Sequence, residues 1–154
     1  MKTIAYIFAG AVLCTACGPS STKTTTEEMT TADSSASAKE NDIAGSYTYQ
    51  QDGDTVALHL TIQGTKAMGH LTYAWKEKDH NSGSFEGEVK DGLLIADYTF
   101  ESEGMSSVRE VAFKLNGKTA KEGYGDVEEK EGKFVFKDFN SLNFDSGLVL
   151  TKEQ

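Results

Sequence analysis

Phe85-Glu86-Gly87-Glu88-Val89-Lys90-Asp91-Gly92-Leu93-Leu94-Ile95-Ala96-Asp97-Tyr98 is the stretch that decides the fold. Apolar and polar residues alternate on both sides of Asp91-Gly92, a pair suited to a type I′ turn, whose two central residues need positive φ. Placing the turn there sets Val89 against Leu94, Gly87 against Ala96 and Phe85 against Tyr98. A slip of one residue would turn one strand inside out, so the shared apolar face fixes the register.

The same texture continues in both directions. Upstream, residues 55–63 and 68–75 flank Gly64-Thr65-Lys66-Ala67; a four-residue loop there sets Leu60 against Leu71, Leu58 against Tyr73 and Val56 against Trp75. Downstream, Asn116-Gly117 has the turn chemistry of Asp91-Gly92 and joins residues 107–115 to 118–126. Further strands are expected at 45–51, 132–137 and 147–152, making about eight. Glycine recurs throughout and no eleven-residue window keeps a 3.6-residue period, which argues against helices. Tight hairpins in succession imply an antiparallel up-and-down meander, and closing it into a small barrel removes both exposed edges. An all-β barrel is therefore the expectation, with a β-sandwich as the alternative. An eight-stranded barrel has an interior that side chains can fill or that can hold one small ligand.

The N-terminal part is of a different kind. A lone Lys2, an apolar run over residues 4–13 and small residues before Cys17 make a secretory signal, too short to span a membrane. Cys14-Thr15-Ala16-Cys17 resembles a bacterial lipoprotein lipobox, in which small residues at −2 and −1 precede the cysteine that receives the lipid. The resemblance implies that residues 1–16 are removed and that Cys17 is acylated. Cys14 stands where a leucine is expected, but processing at Cys14 would put bulky Leu13 at −1. An ordinary signal cut after Ala16 is the competing reading. It would leave a free thiol in an oxidising compartment, whereas acylation consumes it. With Cys14 removed and Cys17 a thioether, no thiol is left for disulfides, redox chemistry or thiolate metal sites.

Residues 17–42 carry Ser, Thr, Ala, Glu and Lys, no aromatic residue and the chain's single proline, Pro19. Such a composition cannot bury enough apolar surface to offset its ordering entropy, so a disordered tether is expected, with a root-mean-square span of roughly 25 to 30 Å. Residues 43–154 then form one domain. Gly18 stands where some bacterial lipoproteins carry the aspartate that retains them in the inner membrane, so the resemblance implies a cell-envelope protein of the outer membrane. Gly45-Ser46-Tyr47 resembles the Gly-x-Trp opening of lipocalin- and avidin-type barrels, with Tyr47 in place of the tryptophan. The segments Tyr98-Thr99-Phe100-Glu101-Ser102-Glu103-Gly104 and Gly123-Tyr124-Gly125 resemble small β-rich lipoproteins of Bacteroidota-type bacteria, a likeness that carries no known activity.

Arg109 is the chain's only arginine, and by strand parity it shares the inward face with Val111, Phe113 and Leu115. Across the Asn116-Gly117 hairpin, Glu122 and Tyr124 share that face, so Arg109, Tyr124 and Glu122 are candidates for holding a small anionic ligand at a barrel mouth. A satisfied internal ion pair, or an arginine reaching out toward Glu101 and Glu103, is the plainer reading. Trp75 and Tyr98, with Tyr47, Tyr49 and Phe100, are candidates for an aromatic lining that would take an apolar ligand, or are simply core. His59 and His70 fall as diagonal neighbours on the outer face, where Ala57 and Ala74 add no third ligand, so they read as surface histidines rather than a metal site. His80 reads as solvated. The acidic clusters 52–54, 126–131 and 138–145 lack EF-hand spacing.

The full chain carries a net charge of −9, and loss of Lys2 makes the mature chain more negative still. That sign argues against nucleic acid and against attraction to anionic lipid, leaving the lipid on Cys17 as the membrane link. No catalytic signature is found: Gly83-Ser84-Phe85-Glu86-Gly87 has its serine one place too early for a nucleophile elbow, and Gly123-Tyr124-Gly125 lacks a third glycine and a following helix. The expectation is a monomeric, non-enzymatic binding barrel without cofactor. An envelope interaction module, presenting loop 77–82 or 102–107 to another protein, is the alternative.

Overall fold

The computed structural model describes residues 42–78, 80–102 and 104–154; Cys17 and all but the last residue of the expected tether lie outside the described residues. The strands are β1 (Gly45–Gln51), β2 (Asp54–Gln63), β3 (Lys66–Ala74), β4 (His80–Lys90), β5 (Leu93–Ser102), β6 (Met105–Leu115), β7 (Thr119–Gly123), β8 (Val127–Lys130), β9 (Lys133–Phe136) and β10 (Val149–Lys152). Strands β1 to β7 follow one another antiparallel, and β10 lies between β7 and β1. Leu150 faces Ala120 on one side and Thr151 faces Thr48 on the other. The result is a closed, eight-stranded, up-and-down antiparallel barrel.

Closure follows from alternation. Inward residues Val56, Leu58 and Leu60 of β2, Leu71 and Tyr73 of β3, Phe85 and Val89 of β4 and Leu94, Ala96 and Tyr98 of β5 are buried in one core cluster. Val111, Phe113 and Leu115 of β6, Ala120 of β7, Leu150 of β10 and Tyr47 of β1 complete it. Each strand presents one such face, and the ring brings every face to the same core while leaving no open edge between β1 and β7.

The β4–β5 hairpin has the expected register, with Val89 opposite Leu94 and Phe85 opposite Tyr98. Asp91 and Gly92 both take positive φ, at 52° and 77°. Two other expected hairpins differ in their turns. Between β2 and β3 the loop has two residues, not four, so Leu58 faces Leu71 and Val56 faces Tyr73. Gly64 supplies positive φ at the first loop position, and the shorter turn lets Ala67 enter the core at 2% exposure. The shift is two residues, so the inward face is unchanged. Between β6 and β7, Leu115 pairs with Ala120, and the turn pivots on Gly117 alone, at φ 83°. Asn116 stands before the pivot, where its side-chain carbonyl accepts from the backbone N–H groups of Lys118 and Thr119. Strand β7 also ends at Gly123 rather than running to residue 126.

The expected strand at 132–137 is not a barrel stave. It forms β9, which hairpins with β8 and runs parallel to β6 at Arg109–Phe134. The reason is length: β6 pairs with β7 only over Ala112–Leu115, so its first half has a bare edge on that side, and β9 takes it up. Glu110 on β6 accepts from the Phe136 backbone N–H at 2.7 Å, and Lys133 pairs with Asp97 of β5 at 2.6 Å.

The two ends of the barrel are unlike. At one end lie the turns after β2, β4 and β6 together with Ile43, whose carbonyl accepts from the Tyr47 hydroxyl at 2.6 Å. There Lys152 reaches the Asp42 carbonyl, with its ammonium 5.7 Å from the centre of the Tyr47 ring. This end is closed. At the other lie the ends of β3, β5 and β7 and the long excursion from Tyr124 to Leu148.

Core and surface positions should respond differently to truncation. Phe113→Ala, which empties a wholly buried site, is expected to cost roughly 3–5 kcal/mol in denaturant unfolding, whereas His59→Ala on the outer face should stay within about 0.5 kcal/mol.

Candidate functional site

The open end holds a cavity of about 520 Å³. Its walls come from the end of β3 (Tyr73, Trp75), the start of β4 (Asn81), the end of β5 (Phe100), the start of β6 (Ser107 to Val111), the end of β7 (Glu122, Gly123) and the β8–β9 hairpin (Val127, Phe134, Phe136). Barrel parity puts Tyr73, Asn81, Phe100, Arg109 and Glu122 on inward positions near the mouth. A larger concavity, about 710 Å³, lies on the outer surface of β3–β5 among Lys66, Glu86, Glu88 and Asp97. It gathers no buried polar group, and the mouth does.

Arg109 lies among aromatic rings. Its guanidinium carbon is 5.1 Å from the centre of Tyr73, 5.3 Å from Phe100 and 5.6 Å from Tyr98. Each such contact contributes about 0.5–2 kcal/mol when desolvated. The rings also support one another: Tyr98 stacks on Phe100 at 5.0 Å, and Tyr73 lies 6.0 Å from both Trp75 and Tyr98. Among the described residues no carboxylate forms an ion pair with Arg109. Its Nε is buried without an acceptor, and the Asn81 side-chain carbonyl is buried without a donor. Leaving such a group unsatisfied costs about 1–3 kcal/mol.

Glu122, 4% exposed, is the one acidic or basic side chain fully buried among the described residues. Its carboxylate accepts from the Tyr73 hydroxyl at 2.5 Å and from the Tyr124 hydroxyl at 2.8 Å. Burial pushes the carboxyl above its usual range, and the two phenols and the nearby Arg109 offset only part of that. The Tyr73 hydroxyl is driven well above its ordinary value, first by burial and then by the adjacent carboxylate. The same two causes raise Tyr124. Burial takes Tyr98 to about 12, with Arg109 acting against it. The phenols thus stay protonated donors, and both carboxylate oxygens are engaged.

Of the five residues expected at a ligand site, Arg109, Tyr124, Glu122 and Trp75 all border this cavity. Tyr98 does not: it is fully buried beneath the cavity, donates to the Leu71 carbonyl at 2.9 Å and supports Arg109 from below. Tyr47 lies at the closed end, and Tyr49, which donates to Gln51, is not part of the wall. Among the described residues Arg109 forms neither an internal ion pair nor a pair with Glu101; Glu103 lies outside the described residues. Tyr73, Asn81, Phe134 and Phe136 were not expected; Tyr73 and Asn81 carry inward parity, but they lie three and two strands from β6, and it is the curvature of the sheet that turns them toward Arg109.

His59 and His70 are direct cross-strand partners, not diagonal ones, because of the two-residue shift between β2 and β3. Their rings bond to Ser46 and Ser82, at 2.7 and 2.8 Å. Among the described residues no group of three or more His, Cys, Asp or Glu is placed to hold a metal ion. No known protein family matches the chain, and neither a curated protein nor a solved structure is significantly similar to it.

The raised Glu122 carboxyl makes stability depend on pH. Between the ordinary value of 4.5 and its folded-state value, the native protein holds a proton that the unfolded chain has released. This contribution is complete below the ordinary value and is lost as pH rises through the folded-state value. Glu122→Gln lacks it, so unfolding from about pH 4 to pH 8 should show wild type losing ground steadily to the variant.

Proposed function

We propose that this protein is a lipid-anchored cell-envelope protein, of the bacterial outer membrane, that binds a small apolar or anionic molecule in the mouth of its barrel. The observation that carries the reading is a cavity of about 520 Å³, walled by aromatic rings, into which a cation with no ionic partner among the described residues is built. Ligand sites are mostly apolar with a few placed polar groups, and this volume lies within their usual range of about 300–1,000 Å³. Binding is also supported by Glu122, whose carboxylate is fixed in the wall by the Tyr73 and Tyr124 hydroxyls.

The position of residue 42 fits the anchor. Asp42, the last residue of the expected tether, lies beside Lys152 and the Gly117 turn, at the end of the barrel opposite the mouth. A second reading, docking to another envelope protein, is favoured by the exposed Tyr124, Val127, Phe134 and Phe139 around the excursion beside the mouth.

Native mass spectrometry of the intact protein, released gently from its host, tests the choice. The binding reading expects an adduct that is lost on denaturation and missing from Arg109→Met, while the melting temperature of that variant stays within a few degrees of wild type. A clean apo mass for both proteins favours docking. A large fall in stability with the adduct retained would make Arg109 a structural residue only.

A further inference from the structure

Building on the binding reading, we infer that the mouth selects an apolar carboxylate bearing an N–H donor beside its carboxyl group, the chemistry of an N-acylated amino acid or of a peptide's C-terminal residue. Two unsatisfied atoms of opposite type stand in the wall. The Arg109 Nε–H is a buried donor on a cation, and a carboxylate is the acceptor that also balances its charge. The Asn81 side-chain carbonyl is a buried acceptor and needs a donor.

Both atoms flank one ring. Asn81 is the direct cross-strand partner of Tyr73, and the Arg109 guanidinium lies over the Tyr73 face. In the structure Glu122 accepts from Tyr73 and Tyr124 and forms no ion pair with Arg109. A ligand here must therefore present an anion and a hydrogen-bond donor close together. A free amino acid would bring an ammonium toward the Arg109 guanidinium, whereas an acylated nitrogen keeps the donor and removes that charge. The remaining wall, Trp75, Phe100, Phe134 and Phe136, suits an apolar side chain.

The test is titration of the intact protein, read by Trp75 fluorescence and calorimetry, with N-acetyl-L-phenylalanine, its methyl ester and 3-phenylpropanoate. The acid should bind saturably, the ester at least about tenfold more weakly, and 3-phenylpropanoate about two- to tenfold more weakly for want of the N–H. Asn81→Leu should make the two carboxylates equal. Arg109→Met should bind neither, and Arg109→Lys should keep the preference for acid over ester at lower affinity, which guards against a folding defect. A pentapeptide ending in phenylalanine separates the two sources: equal binding points to peptide termini, and exclusion points to the free N-acyl amino acid.

An ester that binds as tightly as the acid, or a 3-phenylpropanoate that matches it in the wild type, overturns the inference. If only the neutral probe N-phenyl-1-naphthylamine binds, this selectivity falls and the cavity reading stands. If no probe of either kind binds, both fall.

Discussion

The pairing of β10 with both β1 and β7 is the constraint on which the rest of the structure depends. Four residues, Val149–Lys152, join the first stave to the seventh and turn a curved sheet into a ring. Without them β1 and β7 would be open edges, and inward residues such as Leu60 and Ala120 would face solvent. Closure also decides the electrostatics of the mouth, because it removes the outward escape for any side chain on the inner face. Arg109 and Glu122 are inward by parity, so the ring holds them in a low-dielectric space where each must find partners.

They find different ones. Glu122 is met by two phenolic donors, which satisfy its oxygens without neutralising it, while Arg109 is met by ring faces, which offset charge but leave its Nε unpaired. A direct ion pair between the two would have closed the mouth chemically. Tyr73 prevents it by serving both: its hydroxyl binds Glu122 and its ring carries Arg109. The separation leaves the guanidinium turned toward a cavity, and binding energy for a ligand can come from completing hydrogen bonds that the empty protein lacks. The single arginine and the single tryptophan of the chain both line this one cavity.

Local chemistry carried most of the fold. Asp91-Gly92 determined its hairpin to the residue because a type I′ turn admits one register. At Gly64 the same glycine could serve a two- or a four-residue loop, and both keep Leu58 and Leu71 inward, so the pattern of apolar residues could not choose between them. That ambiguity misplaced His59 against His70. The β8–β9 hairpin was illegible for another reason: its pairing with β6 depends on how far β7 extends, and β7 ends where Gly123 packs beneath Phe144. Parity was enough to turn Arg109, Glu122 and Trp75 inward. It could not show that Tyr98 lies one layer too deep, or that Asn81 borders the same cavity as Arg109.

Selective ¹⁵N labelling of arginine tests the central claim most directly, since the only arginine gives one side-chain Nε–H resonance. Packing among Tyr73, Tyr98 and Phe100 predicts a signal shifted upfield by ring currents and protected from exchange with water. A signal at the shift and exchange rate of free arginine would contradict the account, because the Arg109 Nε–H would then be open to water rather than enclosed by the rings.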